Sequence, residues 1–478
     1  MSESYFAELM PTLSRRFTQA VISQLGFANL PLRRKLQELF TDIYGADGTF
    51  LADPTFEAVF GWKTAEPALG DLEGSVLEPE LVEALDGAGD FAFKREMHPY
   101  RHQLDAWEVL GTKDPQSLIV TSGTGSGKTE CFMIPILDHL VRLKRELGRL
   151  VGVRALFLYP LNALINNQRN RLRAWTEPFG GDIRFCLYNG NTPERPDRSR
   201  VQRESPSEVL DREHLRSQVP PILVTNATML EYMLVRTQDA PILEQSHGKL
   251  EWIVLDEAHT YIGSQAAEIS LLLRRVMHAF GVSADRVRFV ATSATIGDPE
   301  GTAGQQLREF LADLAGVDMG QVHLVAGERA IPQLPEVQVG EAGTLSHLEA
   351  IDQGIAVSSA RFEHLASHPL ARCIRGRFTE ASDGSTVARL SQVCQVIHGP
   401  KENYSLEEQQ EGLRWLDLLS GTRKEEGGEA FLPLRGHLFH QTLSGIWACA
   451  DKGCSLKEPL KNSPLMRKFP HPPAGTAI

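Results

Sequence analysis

The chain has 478 residues, of which 42% are apolar and 23% charged, and its formal net charge is -12. These proportions exclude a disordered or fibrous protein, and at roughly 150 residues per domain the length predicts several domains. No stretch reaches the roughly 18 uncharged apolar residues of a membrane helix, and the N-terminus lacks the order of a signal peptide, so we expect a cytoplasmic protein with no membrane partner. The six cysteines are scattered, which predicts reduced thiols and not a disulfide framework.

The first part of the chain, residues 1–90, is predicted to be a helical N-terminal region. Apolar residues recur there at three- and four-residue intervals, with a break expected at Pro11, and Pro31 can open a second helix at its first turn.

Residues 91–328 have a different pattern, in which short apolar runs alternate with helical stretches. The runs are SLIVTS, RALFLYP, RFCLYNG, PILVTN, WIVLDE, VRFVATSAT and VHLVAG. Runs without polar alternation are typical of strands buried on both faces, so we predict an α/β domain with a mainly parallel sheet. Residues 329–478 lose this rhythm, and we predict an irregular α-rich accessory segment with helices at 344–367 and 405–419.

A glycine-rich turn lies between the first of these strands and a predicted helix. Glycines let backbone N–H groups point at a phosphate, and the helix N-terminus adds a positive dipole. We therefore predict a P-loop for ATP, although the glycines alone are equally typical of a flexible connector. Its residues are Thr121, Ser122, Gly123, Thr124, Gly125, Ser126, Gly127, Lys128, Thr129 and Glu130. We expect Lys128 to reach the β- and γ-phosphates and the Thr129 hydroxyl to ligate Mg²⁺.

Two adjacent carboxylates end the strand in WIVLDEAH. Ligands bind at the carboxyl edge of an open α/β sheet, so we expect Asp256 to hold Mg²⁺ and Glu257 to orient and deprotonate the attacking water. A helix cap is the structural alternative for this pair alone, and the accompanying P-loop favours catalysis.

The motif set resembles that of superfamily 2 helicases, with HQ at 102–103, DEAH at 256–259 and SAT at 293–295. Helicases of this superfamily commonly have Ala or Ser where Ser122 replaces the first P-loop glycine. The resemblance implies a RecA-like P-loop domain in which Gln103 reads the adenine edge and Tyr100 or Arg101 stacks on the base. It also implies that His259 belongs to the catalytic set and that Ser293 and Thr295 couple phosphate state to the grip on nucleic acid.

Two further segments, YPLNALINNQ and VTNATMLEYML, resemble motifs Ia and Ib of the same family. Loops after strands can contact successive phosphates without reading sequence, although ordinary helix capping is an equally good account of each residue. The predicted nucleic-acid residues are Asn162, Gln168, Thr225 and Asn226. The motifs do not separate DNA from RNA, and of the two we expect DNA. The arginine-containing loop NTPERPDRSRVQR either extends this track or is a solvated loop.

Near the C-terminus, HLFHQTLSGIWACADKGC contains four residue types that bind Zn²⁺. The alternatives are a site made by His437, His440, Cys449 and Cys454, ordinary packing of the two histidines, or a partial site. We favour the last, with Cys449 and Cys454 as half of a four-cysteine zinc site. This segment resembles one in the large bacterial helicases related to MrfA and YprA and to the DISARM and Druantia defence systems. The segments TSGTGSGKTECF and DPTFEAVFGW also resemble segments of that group.

The leading hypothesis is the ATP-binding first motor domain of a DEAH-box helicase or translocase, with ATP hydrolysis to ADP and phosphate in the complete motor. No Q-x-x-G-R-x-x-R pattern follows Thr295, so we expect a truncation before the second RecA-like domain and slow turnover. The alternative is a nucleotide-dependent nucleic-acid-binding or scaffold module without unwinding activity, truncated or completed in trans. The motif set disfavours a metabolic P-loop kinase. Expected partners are nucleic acid and other defence-system or repair subunits.

Overall fold

The computed structural model describes residues 5–24, 30–39, 43–45, 51–123, 125–195, 206–261, 263–293, 301–335, 357–380 and 386–439. The chain divides into two compact units. One unit is Trp62–Ala330, and the other combines Met1–Gly61 with Ile331–Ile478. Within the described ranges, no helix has the length and apolar character needed to cross a membrane.

The strands and helices are numbered in chain order. The strands are β1 (Thr55–Ala58), β2 (Ser117–Thr121), β3 (Ala155–Leu158), β4 (Phe185–Tyr188), β5 (Glu208–Val209), β6 (Ile222–Thr225), β7 (Trp252–Leu255), β8 (Arg288–Ser293), β9 (Val322–Ala326), β10 (Val387–Arg389) and β11 (Leu434–His437). The helices are α1 (Phe6–Gln24), α2 (Leu30–Leu39), α3 (Pro79–Asp86), α4 (Arg101–Leu110), α5 (Lys128–Leu147), α6 (Asn162–Thr176), α7 (Arg212–Ser217), α8 (Ala227–Val235), α9 (Ala240–Ser246), α10 (Ser264–Phe280), α11 (Thr302–Ala315), α12 (Ser358–Ser367), α13 (Pro369–Thr379), α14 (Leu390–His398) and α15 (Leu406–Gly421).

The unit Trp62–Ala330 is built on an eight-stranded sheet with the order β5-β4-β6-β3-β7-β8-β2-β9. Every neighbouring pair is parallel. All seven predicted strands are present, which confirms the α/β class and the RecA-like P-loop fold. The edge strand β5 was not predicted, because its two residues, Glu208 and Val209, form no apolar run.

Successive side chains of the central strands lie in two different hydrophobic cores. Leu118 and Val120 of β2 pack in one core with Phe132 of α5, whereas Ile119 packs in the other with Leu273 of α10. Because both faces of the sheet are covered, the strands need apolar residues at every position. This double burial explains why their sequences show no polar alternation.

The predicted boundary at residue 90 differs from the structure, where residues 62–90 lie in the unit with the large sheet. Leu81 and Leu85 of α3 are fully buried in the same core as α5. The backbone N–H of Glu78 also donates to Oδ1 of Asp138 over 2.6 Å. Burial against α5 therefore fixes this segment to the α/β unit, a tertiary effect that helical periodicity does not report.

The other unit contains a three-stranded antiparallel sheet with the order β10-β1-β11, packed with helices α1 and α12 to α15. Strand β1 lies in the region predicted to be helical. Helix α1 continues through Pro11, where a break was predicted. Its first N–H groups, those of Phe6 and Ala7, donate to the Asp417 carboxylate over 2.6 and 3.0 Å, and a carboxylate at a helix N-terminus stabilises the helix.

Two predicted helices of the accessory segment can be compared with the structure. The helix predicted at 405–419 is α15, and Ser405 and Glu408 form a capping box at its start. Of the helix predicted at 344–367, the described part is α12, while residues 336–356 lie outside the described residues.

Candidate nucleotide-binding site

The glycine-rich segment forms the turn between β2 and α5. Gly125 and Gly127 have φ values of 77° and 73°, and Gly127 is the N-cap residue of α5. Side chains rarely adopt this left-handed conformation, so glycine is required at both positions. The turn therefore leads directly into a helix whose first residue is Lys128. Thr124 lies outside the described residues.

The ammonium group of Lys128 lies between the ends of two strands. It donates to the carbonyl oxygen of Ser122, after β2, over 3.0 Å and to that of Ser293, at the end of β8, over 3.3 Å. Within the loop, the hydroxyl groups of Ser122 and Ser126 are 2.5 Å apart. The cation is thus held at the carboxyl edge of the sheet, beside the start of a helix, where an anion is stabilised.

Helix α4 supports the loop through two neighbouring side chains. His102 Nε2 contacts the carbonyl oxygen of Ser126 at 2.8 Å, and Gln103 Nε2 donates to that of Gly127 over 3.3 Å. Gln103 Oε1 also accepts the backbone N–H of Tyr100 over 2.9 Å. Both ends of this buried amide therefore have protein partners, and contact with adenine, which stays a prediction, would require it to exchange one of them.

The first carboxylate of the DEAH segment is fixed from both sides of β7. The backbone N–H of Asp256 donates to the carbonyl oxygen of Leu158 over 3.0 Å, and Oδ1 accepts the Thr292 hydroxyl over 2.5 Å. Burial raises the pKa of Asp256, the negative charge of Glu257 raises it further, and the Thr292 hydrogen bond and Lys128 oppose this rise. Asp256 and Lys128 are thus electrostatic neighbours at one edge of the sheet.

The second carboxylate lies on a strained backbone. Glu257 has φ of 52°, and within the part of the chain that is described it is the one residue other than glycine with positive φ. Its backbone N–H donates to the Thr292 hydroxyl over 3.0 Å, and Nδ1 of His259 lies 3.3 Å from Oε2. Such a conformation costs about 1–2 kcal/mol and recurs at functional sites. The Thr292 contact holds it in place.

Sequence reasoning missed Thr292 and selected Ser293 and Thr295 instead. Ser293 contributes its carbonyl oxygen, and Thr295 lies outside the described residues. The role of Thr292 follows from the pairing of Leu255 with Ala291, because the following residues, Asp256 and Thr292, then lie side by side on one face. Register between strands is not visible in one sequence, so no sequence signal could have found it.

The donor set suits Mg²⁺, which takes oxygen ligands. Asp256 supplies a carboxylate at the end of β7, and Thr129 supplies a hydroxyl in the first turn of α5. A Cβ atom built at Gly125 meets nothing within 4 Å, so the loop is open at this position. Glu130, the residue after Thr129, was also predicted to belong to the nucleotide site. Its Oε1 lies 3.3 Å from Nη1 of Arg171 on α6, with which it forms an ion pair.

Of the four residues predicted to contact nucleic acid, Asn162 and Asn226 are in contact with each other. The side-chain amide of Asn226 donates to Oδ1 of Asn162 over 2.8 Å, which joins the starts of α8 and α6. Asn226 also caps α8. Thr225 is fully buried and its hydroxyl donates to the carbonyl oxygen of Tyr188 over 2.6 Å, so its side chain is not available at the surface. Gln168 is half-buried on α6.

The predicted zinc residues Cys449 and Cys454 lie outside the described residues, as does His440. His437, on β11, has Nε2 at 3.0 Å from Oε2 of Glu57 on β1. Across the described ranges, no group of three or more metal-ligating side chains is present. In the basic loop, Arg195 pairs with Glu213 over 2.8 Å, and residues 196–205 are outside the described part.

The sequence matches the family model of the DEAD/DEAH box helicases over residues 100–301, which include the P-loop and the DEAH segment. Residues 100–301 thus form a DEAD/DEAH box helicase domain. The chain is similar to the Druantia protein DruE of Escherichia coli, with 26% identity over 75% of this chain and 26% of the relative. It is also similar to the uncharacterized ATP-dependent helicase YprA of Bacillus subtilis, with 28% identity over 61% of this chain and 34% of the relative.

The chain thus spans between a quarter and a third of the length of these two relatives. Among solved structures, the DUF1998 helicase MrfA bound to DNA is similar over 57% of this chain and 32% of its own, with 25% identity and a TM-score of 0.39.

Proposed function

We propose that the unit Trp62–Ala330 binds ATP and Mg²⁺ and hydrolyses ATP to ADP and phosphate, as the first motor domain of a helicase or translocase. One observation carries the proposal, namely that the end of β8 joins the P-loop to the DEAH segment. The Ser293 carbonyl oxygen accepts from Lys128, and the adjacent Thr292 hydroxyl donates to Asp256. The P-loop lysine and the first DEAH carboxylate are therefore bonded to adjacent residues of one strand.

Each residue has a defined role in this proposal. Lys128 neutralises phosphate charge, and Asp256 and Thr129 supply oxygen ligands to Mg²⁺. A Mg²⁺ ion held by these residues would neutralise further phosphate charge. Glu257 takes the proton of the attacking water, whose oxygen bonds to the γ-phosphorus while the bond to the β-phosphate oxygen breaks.

We propose that the nucleic-acid track runs past the starts of α6 and α8, which the Asn162–Asn226 hydrogen bond holds together. The backbone N–H groups in the first turns of the two helices suit phosphate oxygens. Leu161, next to Asn162, is 63% exposed, so this edge is accessible. DNA is the nucleic acid we propose.

Turnover by this chain alone is expected to be slow. In phosphoryl transfer an arginine finger contributes roughly a factor of 10³ to 10⁵, and in superfamily 2 it comes from a second RecA-like domain. Over the described residues there is one eight-stranded parallel sheet of this type. We therefore propose that a second motor domain completes the site.

Phosphate release with and without single-stranded DNA tests the hydrolysis proposal. Glu257→Gln should retain ATP binding and lose hydrolysis by at least about a hundredfold, since it removes the general base. Glu268→Gln, an exposed change on α10, is the matched control and should behave as the wild type. With wild-type phosphate release above background, hydrolysis by Glu257→Gln at the same rate would exclude this site as the catalytic one.

Fluorescence anisotropy with labelled oligonucleotides tests the nucleic-acid track. Asn162→Ala and Asn226→Ala should each weaken binding about three- to tenfold, because the two helix starts are no longer joined. Asn170→Ala, an exposed change further along α6, should have no effect. Equal affinities for all three variants, or tighter binding of RNA than of DNA of the same length, would contradict the proposal.

The similarity to a Druantia protein motivates a proposed role in antiviral defence, together with other subunits of such a system or of a repair pathway. Phage challenge of cells with and without the gene would test it. Equal plaque counts would count against defence.

A further inference from the structure

Tyr159 directly follows β3, next to the DEAH carboxylate in the register of the sheet. Leu158 pairs with Leu255, and both pack in the core on the α10 side. The residues that follow them, Tyr159 and Asp256, therefore share the opposite face. Tyr159 packs there in the core that contains α5, the helix of the P-loop. Its side chain thus lies on the same face of the sheet as α5.

The phenol of Tyr159 is fully buried, yet among the described residues its hydroxyl has no hydrogen-bond partner. A buried polar group without a partner costs free energy, and such groups in native structures call for an explanation. The neighbouring charges are Asp256, on the adjacent strand, and Arg171, on α6. Burial raises the pKa of Tyr159, and Asp256 raises it further, so the hydroxyl stays protonated and neutral.

Another buried tyrosine in the same sheet shows how the fold satisfies such a group. Tyr188 is the last residue of β4, and it is also fully buried. Its hydroxyl donates to Oδ2 of Asp239 over 2.7 Å. Tyr188, on a strand away from the P-loop, thus has a partner within the protein. Tyr159, next to Asp256, has none among the described residues.

We propose that the Tyr159 hydroxyl is a ligand-facing group of the nucleotide site, which accepts a hydrogen bond from a water molecule coordinated to the Mg²⁺ that Asp256 holds. Water on a divalent cation is a strong hydrogen-bond donor, and a neutral phenol oxygen is a suitable acceptor. The inference rests on the proposed function, because it needs Mg²⁺ at Asp256. Tyr159 would then recognise the hydrated metal ion. This role differs from the contact with nucleic acid that the motif Ia resemblance implies for this segment.

Isothermal titration of the full chain with ATP, once with Mg²⁺ and once with EDTA, tests the assignment. Tyr159→Phe should weaken binding about three- to tenfold with Mg²⁺ and leave binding in EDTA unchanged. Its melting temperature without ligand should be no lower than that of the wild type, because no protein hydrogen bond is removed and an unpaired buried hydroxyl is lost. Tyr188→Phe is the matched control, which should lower the melting temperature and leave both ATP affinities unchanged.

Two results would overturn the assignment, namely wild-type affinity of Tyr159→Phe with Mg²⁺, or an equal loss of affinity with Mg²⁺ and with EDTA. The second result would mean that the hydroxyl supports the site in general and does not recognise the metal. If the wild type itself binds ATP equally with Mg²⁺ and with EDTA, or does not bind it, the proposed function fails first. The wild-type titration therefore separates the two failures.

Discussion

The hydroxyl group of Thr292 donates a hydrogen bond to Oδ1 of Asp256 over 2.5 Å and accepts one from the backbone N–H of Glu257 over 3.0 Å. One side chain on β8 thus holds both acidic residues of the DEAH segment. It binds the carboxylate of Asp256 and the strained backbone of Glu257. Lys128 contacts the next residue of β8, Ser293. The strand between the two motifs is therefore part of the site.

Replacing Thr292 with valine should destabilise the fold, because it leaves a half-buried carboxylate oxygen and a backbone N–H without this partner. We expect a loss of about 1–3 kcal/mol in the free energy of unfolding, measured by urea titration. Thr176→Val is the control, since the Thr176 hydroxyl donates to the Leu172 carbonyl of its own helix, and it should cost less. Equal losses for both variants would show that Thr292 has no special role.

Alanine at Gly127 should disturb the loop more than alanine at Gly125. Both positions have positive φ, so each change costs about 1 kcal/mol in backbone strain. A Cβ atom at Gly127 would in addition lie 2.2 Å from Nε2 of Gln103, whereas nothing lies within 4 Å at Gly125. The terminal amide of Gln103 would have to move and give up its hydrogen bond to the Gly127 carbonyl, so we expect about 1 kcal/mol of further destabilisation by urea titration.

The Gln103→Ala background provides the control for this clash. Removing the Gln103 side chain should make Gly127→Ala less costly while leaving the cost of Gly125→Ala unchanged. An unchanged cost of Gly127→Ala would mean that the contact with Gln103 is not responsible.

His139 should make stability depend on pH. Burial, with the nearby charges of Arg288, Arg154 and Arg142, lowers its pKa to about 4. Its Nδ1 accepts the indole N–H of Trp252 over 2.8 Å, which suits the neutral ring.

Because the unfolded chain binds a proton at His139 near pH 6.5 and the folded chain does not, this contribution is fully present above pH 6.5 and lost as the pH falls to about 4. At ~1.4 kcal/mol per pH unit, the loss reaches at most about 3 kcal/mol. Urea unfolding of His139→Gln should lack this contribution, whereas His323→Gln, a change of an exposed histidine, should keep it. The same pH profile in wild type and His139→Gln would contradict the assignment.

The seven apolar strands, the P-loop turn and helix α15 were predicted from the sequence, because each depends on a local pattern. The features that it did not predict depend on tertiary contacts. Thr225 was predicted to contact nucleic acid, but it lies on a buried face at the end of its strand, and its hydroxyl donates to the carbonyl oxygen of Tyr188. The amide of Gln103 is used by the P-loop, and the role of Thr292 depends on the pairing of β7 with β8. Side-chain direction and strand register decide such contacts, and periodicity reports neither.

Titration of the full chain with ATP in the presence of Mg²⁺ tests the central claim most directly. Lys128→Ala should weaken binding about tenfold to a hundredfold, because it removes a charge-assisted contact to phosphate. Lys144→Ala, on the same helix but paired with Glu80 at the surface, should bind as the wild type does. Unchanged affinity of Lys128→Ala, or equal losses in the two variants, would contradict a nucleotide site at the P-loop.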